Sequence, residues 1–96
     1  MTFTVLVTMT LKPEHANGFA ARLPAVLAET RRFEGCVQIQ GYRCGEEPNR
    51  LFILEQWQTQ ERYAAYVSWR RSAGTLDKLA GIMLEPMSSR VLDQVA

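Results

Sequence analysis

The first eleven residues alternate between two kinds of side chain. Odd positions from 3 to 11 are apolar, and the even positions between them are threonines apart from one leucine. A period of two in a stretch rich in β-branched residues is typical of a strand with one buried face. The apolar face consists of Phe3, Val5, Val7, Met9 and Leu11. The pattern predicts a first strand at the start of the chain.

The spacing of apolar residues then becomes helical. Pro13 follows Lys12 and precedes Glu14, and proline at a first helical position followed by an acidic residue favours a helix start. The helix is expected to run to about Arg32. Its apolar face comprises Ala16, Phe19, Ala20, Leu23, Val26 and Leu27. Pro24 lies inside it, and we expect a kink or a break there because the ring removes one backbone hydrogen bond.

Two more strands are expected after Gly35. The second strand covers residues 36–44, with Val37 and Ile39 on one face. Its other face carries Gln38, Gln40 and Tyr42. A turn-rich connection at residues 45–49 leads to a third strand at residues 51–58, and this connection is long enough for an extended hairpin loop.

The last third of the chain predicts a second helix, a short third helix and a final strand. Thr59 suits an N-cap, and apolar or aromatic residues recur behind it at helical spacing. This face consists of Tyr63, Tyr66, Val67 and Arg70. Ser72 is expected to cap the short helix, which Glu85-Pro86 ends, and residues 90–95 form the last strand.

The order β-α-β-β-α-(α)-β predicts a ferredoxin-like α+β fold, in which helices cover one face of a four-stranded, mostly antiparallel sheet. With 96 residues, the whole chain, 1–96, forms one domain. The sheet face without helices carries enough apolar residues to need a partner. We therefore expect a homodimer in which two such sheets stack as a dimeric α+β barrel.

Composition and charge limit the kinds of partner that the protein is expected to bind. Eleven basic and ten acidic residues give a net charge of +1, too small to attract nucleic acid or an anionic membrane. The start of the chain lacks the basic segment of a secretory signal, so a cytoplasmic location is expected. Cys36 and Cys44 lie in one strand, roughly 26 Å apart at the usual rise per residue, and are expected to be free thiols.

Motifs of common enzymes are not found. The chain has one histidine and two distant cysteines, so it offers no metal-ligand cluster and no Ser/His/Asp arrangement. Its glycines are scattered and form no phosphate-binding loop. His15 falls in the first turn of the first helix, where a solvated histidine is the simplest interpretation.

An aromatic and polar group near the end of the third strand is the best candidate site. Trp57 ends this strand, and Tyr63, Tyr66 and Arg70 follow on one face of the next helix. These residues could simply pack the helix on the sheet, with Arg70 in solvent. Alternatively, they line a cleft for a flat aromatic ligand, since tryptophan and tyrosine offer apolar rings with polar tips. Tyr42 and Gln38 or Gln40 could add polar contacts, depending on the register.

Several segments together resemble one known family. They are Lys12-Pro13-Glu14-His15, Phe33-Glu34-Gly35-Cys36, Pro48-Asn49-Arg50, Leu54-Glu55-Gln56-Trp57, Thr59-Gln60-Glu61 and Glu85-Pro86. Through these segments, the chain resembles the antibiotic biosynthesis monooxygenase family. The resemblance covers nearly the whole chain and implies a dimeric α+β barrel. It also implies one of several chemistries: cofactor-free oxygenation of quinols or polyketide anthrones, haem degradation, or isomerisation of small metabolites.

Single positions decide among these chemistries. Trp57 and Tyr63 match the tryptophan and tyrosine of the anthrone oxygenases, whereas Ile53 stands where those enzymes have an asparagine. Haem-degrading members have an asparagine at the position of Met9 and a histidine near Tyr66. The resemblance therefore disfavours haem degradation.

The resulting hypothesis is a cofactor-independent monooxygenase acting on an aromatic phenol, quinol or anthrone, with dioxygen as the second substrate. Trp57 and Tyr63 are the expected catalytic residues, as donors to the developing anion. The expected substrate contacts are Tyr66, Arg70, Tyr42, Gln38 and Met9. No cofactor or metal is expected. Two alternatives remain: a dimeric accessory protein that binds an aromatic metabolite without transforming it, and an isomerase or cyclase on the same scaffold.

Overall fold

The computed structural model describes residues 2–96 and has the predicted order of elements. The strands are β1 (Phe3–Thr10), β2 (Cys36–Arg43), β3 (Arg50–Trp57) and β4 (Ser88–Leu92). The helices are α1 (Pro13–Arg31), α2 (Gln60–Ser72) and α3 (Thr75–Ala80). The sheet has the order β2-β3-β1-β4, and each neighbouring pair is antiparallel. This confirms the ferredoxin-like α+β fold.

One face of the sheet forms the core with the helices. In the register of β1 with β3, Val5 pairs with Glu55 and Val7 with Ile53. Side chains alternate along a strand, so these positions share the helix-covered face. The alternation in β3 buries every second residue from Leu51 to Trp57. One carboxylate, that of Glu55, is therefore carried into an otherwise apolar row.

Helix α1 packs on the sheet through the predicted apolar face and continues through Pro24. Phe19, Leu23 and Leu27 are buried, whereas Pro24 is exposed. The expected break is absent, because the ring lies on the solvent side of a helix that packing holds in place. The helix comes very close to β2 at Gly41, where an added Cβ would lie 2.7 Å from a methyl group of Leu23.

Strand β2 departs from the predicted alternation. A β-bulge between Cys36 and Gln38 inserts one residue into the pairing with β3. Ile39 is buried, but Val37 is 51% exposed. The prediction that Val37 and Ile39 share a face is therefore wrong, since a bulge reverses the phase of every residue before it.

The boundaries of the later elements also differ in part from the prediction. Thr59 caps α2 as predicted, since its hydroxyl accepts a hydrogen bond from the Arg62 backbone N–H at 3.2 Å. Ser72, however, ends α2 and does not cap α3, which begins after Gly74 at φ +79°. The chain needs this left-handed residue to turn between the helices, and glycine adopts it without strain. The last strand begins at Ser88, two residues earlier than predicted.

The other face of the sheet carries no helix. Its central residues are Leu6, Thr8, Phe52, Leu54 and Gln56. They are half-buried, and the predicted dimer would cover them. Both cysteines are free thiols, as predicted. The helices within residues 2–96 lack the length and the hydrophobicity of a membrane span.

Candidate functional site

A cavity of about 250 Å³ lies between the sheet and the helices. Its wall is mainly apolar and draws on all seven elements. The apolar lining residues include Val7, Met9, Phe19, Leu23, Val26, Leu27, Ile39, Ile53, Val67, Leu76, Leu79 and Met87. The polar ones are Glu55, Tyr63, Tyr66, Arg70, Arg71, Thr75, Ser88 and Ser89. The arrangement suits a small, largely apolar molecule with a few polar groups.

Glu55 brings a carboxylate to the floor of the cavity, on β3. The residue is only 5% exposed. Burial raises its pKa above the usual value, while the hydrogen bond from Trp57 and the positive charge of Arg70 act in the opposite direction. Glu55 was not among the site residues predicted from the sequence, although the alternation in the third strand places it on the same buried face as Ile53 and Trp57.

Trp57 lies behind the cavity wall and does not line it. Its side chain is fully buried at 0% exposure, and its indole Nε1–H donates to Oε1 of Glu55 at 3.0 Å. Its ring stacks against Tyr66 at a centroid distance of 4.8 Å and meets Tyr63 at 6.1 Å. The polar tip that was expected to reach the substrate is thus engaged by Glu55. Trp57 is thus linked to the cavity wall through that carboxylate.

Arg70 is the centre of a buried hydrogen-bond network. The residue is only 8% exposed, so its side chain does not extend into solvent. The guanidinium donates to the Tyr66 hydroxyl at 2.9 Å, to Thr30 Oγ1 at 3.0 Å and to Glu29 Oε1 at 2.7 Å. These bonds connect α2 to the end of α1 and hold one positive charge at the cavity wall.

The two tyrosines of α2 differ in their freedom to bind a ligand. Thr30 donates to the backbone oxygen of Val26, so the Tyr66 hydroxyl donates to Thr30 Oγ1 at 2.9 Å and its hydrogen is occupied. Burial raises the pKa of Tyr63, with the charge of Glu55 adding to the effect and a hydrogen bond with Ser89 opposing it. Tyr63 therefore stays protonated near neutral pH and can donate to a bound anion.

The other predicted contacts divide between the two faces of the sheet. Met9 is buried and lines the cavity. Tyr42 and Gln38 do not reach it: Tyr42 is 52% exposed, and its hydroxyl donates to Gln40 Oε1 at 3.0 Å. The bulge sets the phase of β2 so that Ile39 faces the helices and these three residues face the opposite side. Tyr42 and Gln38 are thus removed from the candidate site.

Metal binding has no cluster of ligands to support it within residues 2–96. No group of three or more histidine, cysteine, aspartate or glutamate side chains could hold an ion there. His15 is exposed in the first turn of α1, as expected.

Several solved structures share this fold. A conserved protein from Methanosarcina mazei Go1 superposes with a TM-score of 0.85 at 19% identity, over 98% of this chain and 93% of that one. A structure described as an antibiotic biosynthesis monooxygenase gives 0.85 at 13% identity, over 98% and 99%. A protein from Pseudomonas aeruginosa gives 0.79 at 21% identity, over 99% and 95%. No curated protein sequence matches.

These low identities establish the fold alone, whereas the family model is more specific. It describes antibiotic biosynthesis monooxygenases and matches residues 2–74, which span β1 through α2 and include both the Glu55–Trp57 pair and the tyrosines of the cavity. The resemblance seen in the sequence is thereby confirmed, and this chain belongs to the antibiotic biosynthesis monooxygenase family.

Proposed function

We propose that the protein is a cofactor-independent monooxygenase that oxidises a small aromatic phenol, quinol or anthrone inside this cavity. The observation that carries the proposal is the mainly apolar, partly open cavity with polar groups on both its helix side and its sheet side. Tyr63 and Arg70 lie on α2, and Glu55 lies opposite on β3. Such a site can exclude water, hold a ring and stabilise a phenolate or enolate.

The cavity volume limits the substrate. Ligand sites commonly occupy about 300–1,000 Å³, and an engineered apolar cavity of about 150 Å³ takes benzene. The 250 Å³ found here lies between these figures. It favours a ring system of about two fused rings over a long polycyclic one.

The chemistry needs no redox group from the protein. An acidic C–H of the keto tautomer loses its proton, and the resulting enolate gives an electron to dioxygen. The superoxide and the organic radical combine to a peroxide, which takes up a proton. Removal of the second hydrogen from the same carbon then breaks the O–O bond and leaves a ketone and water. One oxygen atom of O₂ ends in each product, as a monooxygenase requires.

The site groups have separate roles in these steps. Tyr63 donates a hydrogen bond to the oxygen on which negative charge develops, and the guanidinium of Arg70 stabilises that charge from a fixed position. The apolar lining, with Met9 among it, holds the ring and keeps the peroxide away from bulk water.

Oxygen uptake with product analysis tests the proposal. Anthrone, 1,3-dihydroxynaphthalene and simple quinols are incubated with the protein in ¹⁸O₂, with the uncatalysed rate subtracted. We expect catalysed incorporation of one ¹⁸O atom per product, and about a 100-fold loss of kcat/KM in Tyr63→Phe. Tight binding of all these compounds without oxygen uptake would instead support the accessory role.

A second candidate is an isomerase or cyclase, and the buried carboxylate facing Arg70 favours it. Proton removal at Glu55 and charge stabilisation by Arg70 would serve enolisation without dioxygen. The two activities separate under anaerobic conditions: an isomerase or cyclase still forms product, whereas the proposed oxygenase does not.

We also expect a cytoplasmic homodimer. Members of this family are commonly dimeric, and Leu6, Phe52 and Leu54 lie on the sheet face that no helix covers. Sedimentation should give a mass near twice 10.9 kDa, and a monomer at micromolar concentration would contradict the expectation.

A further inference from the structure

The proposed reaction needs a group that accepts a proton from the substrate, and the cavity wall contains few candidates. Arginine stays protonated at all working pH values. Tyr63 has a raised pKa and stays a phenol, and the hydroxyls of Ser88, Ser89 and Thr75 are weaker bases still. Within the described residues, Glu55 is the one acidic side chain on the cavity wall.

The carboxylate of Glu55 is held on one side and open on the other. Trp57 Nε1–H donates to Oε1 at 3.0 Å. No hydrogen bond from residues 2–96 reaches Oε2, and every fully enclosed side-chain oxygen or nitrogen in that range has a partner. Oε2 is therefore not enclosed by protein. Since Glu55 lines the cavity, we take this oxygen to face it.

The electrostatic surroundings suit proton transfer in both directions. Besides Trp57, the groups that interact electrostatically with Glu55 are Cys36 on β2 and Tyr63 and Arg70 on α2. Only Arg70 among them carries a charge at neutral pH, and its guanidinium is shared with Glu29 and Thr30. Burial outweighs Arg70 and Trp57, so the pKa of Glu55 moves upward, toward the range in which a general base works best.

We propose that Glu55 is the general base of the reaction and that Trp57 is a positioning residue that holds its carboxylate through the indole N–H. The inference rests on the proposed function and names its proton acceptor. Oε2 of Glu55 takes the proton of the substrate C–H, and the C–H electron pair stays on the substrate as an enolate. The resulting carboxylic acid then returns this proton to the peroxide formed with dioxygen. Glu55 thus ends the first half of the reaction ionised and ready to remove the second hydrogen.

The decisive variants are Glu55→Gln and Trp57→Phe. Glutamine keeps the size of the side chain and an acceptor for Trp57 Nε1–H but cannot take a proton, so kcat should fall about 100- to 10,000-fold. The acidic limb of the pH profile of kcat/KM should disappear with it.

In Trp57→Phe, the hydrogen bond that lowers the pKa of Glu55 is lost. This variant should therefore keep activity at high pH and shift the acidic limb upward.

Proton removal is also measured apart from oxygenation. Under anaerobic conditions in D₂O, the wild-type protein should accelerate exchange of the carbon-bound hydrogen of anthrone or 1,3-dihydroxynaphthalene, followed by NMR, and Glu55→Gln should not. Exchange in the wild type without later oxygen uptake would overturn the oxygenase proposal and keep the base. Oxygen uptake in which Glu55→Gln retains at least a third of the wild-type kcat would overturn the base and keep the oxygenase.

A purely structural role for the pair gives a different result. Glu55→Gln and Trp57→Phe would then lose activity only as far as they lose folded protein, measured by circular dichroism and thermal unfolding. An unmoved pH profile in folded Trp57→Phe would overturn the positioning role.

Discussion

Arg70→Met removes the buried network that joins α2 to the end of α1. Methionine has a similar length and fills much of the same space, so the packing loss is small. What is lost is the set of hydrogen bonds to the Tyr66 hydroxyl, to Thr30 Oγ1 and to Glu29, with a longer one at 3.4 Å to the Val26 backbone oxygen. The Tyr66 and Thr30 hydroxyls lie inside the protein and determine the size of the effect.

The size of the expected stability loss depends on whether each acceptor keeps another hydrogen-bond partner. Tyr66 and Thr30 keep the 2.9 Å hydrogen bond to each other, so neither becomes fully unsatisfied. Two bonds from a charged donor are lost, at about 1.5–3 kcal/mol each at most. The Glu29 carboxylate is 58% exposed and regains water, so its ion pair adds little. We expect a loss of about 2–4 kcal/mol in the free energy of unfolding.

Urea denaturation at fixed protein concentration measures this loss, and Arg71→Met is the matched control. Arg71 neighbours Arg70 and also borders the cavity, but it is exposed and takes part in no ion pair among residues 2–96. Its substitution should change the free energy by less than about 0.5 kcal/mol. Equal effects of the two substitutions would refute the network as a source of stability, as would a loss below about 0.5 kcal/mol for Arg70→Met.

Four further predictions concern the carboxylate, the caps and the cavity. The raised pKa of Glu55 means that the folded state holds the proton more tightly than the unfolded state. The wild type should therefore lose stability relative to Glu55→Gln as the pH rises from about 4.3 through the folded pKa. Thermal unfolding from pH 4 to 8 measures this difference in stability, and a difference that stays constant with pH would contradict the prediction. Thr59→Ala should cost about 1 kcal/mol by removing the α2 cap, whereas Thr59→Ser should cost little. Gly74→Ala should destabilise by about 1 kcal/mol through its positive φ, although the space around it is open. Among substrates of equal reactivity, two-ring compounds should give a higher kcat/KM than three-ring ones, and the reverse order would argue against the 250 Å³ cavity as the site.

Local patterns in the sequence were sufficient for the architecture. The alternation from Phe3 to Leu11 and the helical spacing around Phe19 and Leu23 identify which faces are buried, and their order identifies the fold. The β-bulge after Cys36 was not predicted, because it depends on how β2 pairs with β3 and does not change the pattern of apolar and polar residues in the sequence.

The site was predicted only in part, because polar contacts depend on partners distant in sequence. Helical spacing placed Tyr63, Tyr66 and Arg70 on one face, and the structure brings them to one cavity. The bonds of Arg70 to Glu29 and Thr30 on α1 cross about forty residues, at separations of 41 and 40. Nothing in the local sequence distinguishes such an arginine from a solvated one. The alternation in the third strand was enough to place Glu55 on the buried face. That this face borders a cavity at Glu55 could be seen only in the structure.

The most direct test of the account is turnover in a variant whose cavity is filled. Val67 borders the cavity, whereas Val37 is exposed outside it, so Val67→Phe and Val37→Phe make the same chemical change at a lining and a non-lining position. The measurement is kcat/KM for ¹⁸O incorporation into 1,3-dihydroxynaphthalene, with folding checked by circular dichroism. We predict at least a tenfold loss for Val67→Phe and wild-type turnover for Val37→Phe. Wild-type turnover by folded Val67→Phe would contradict the claim that oxidation takes place in this cavity.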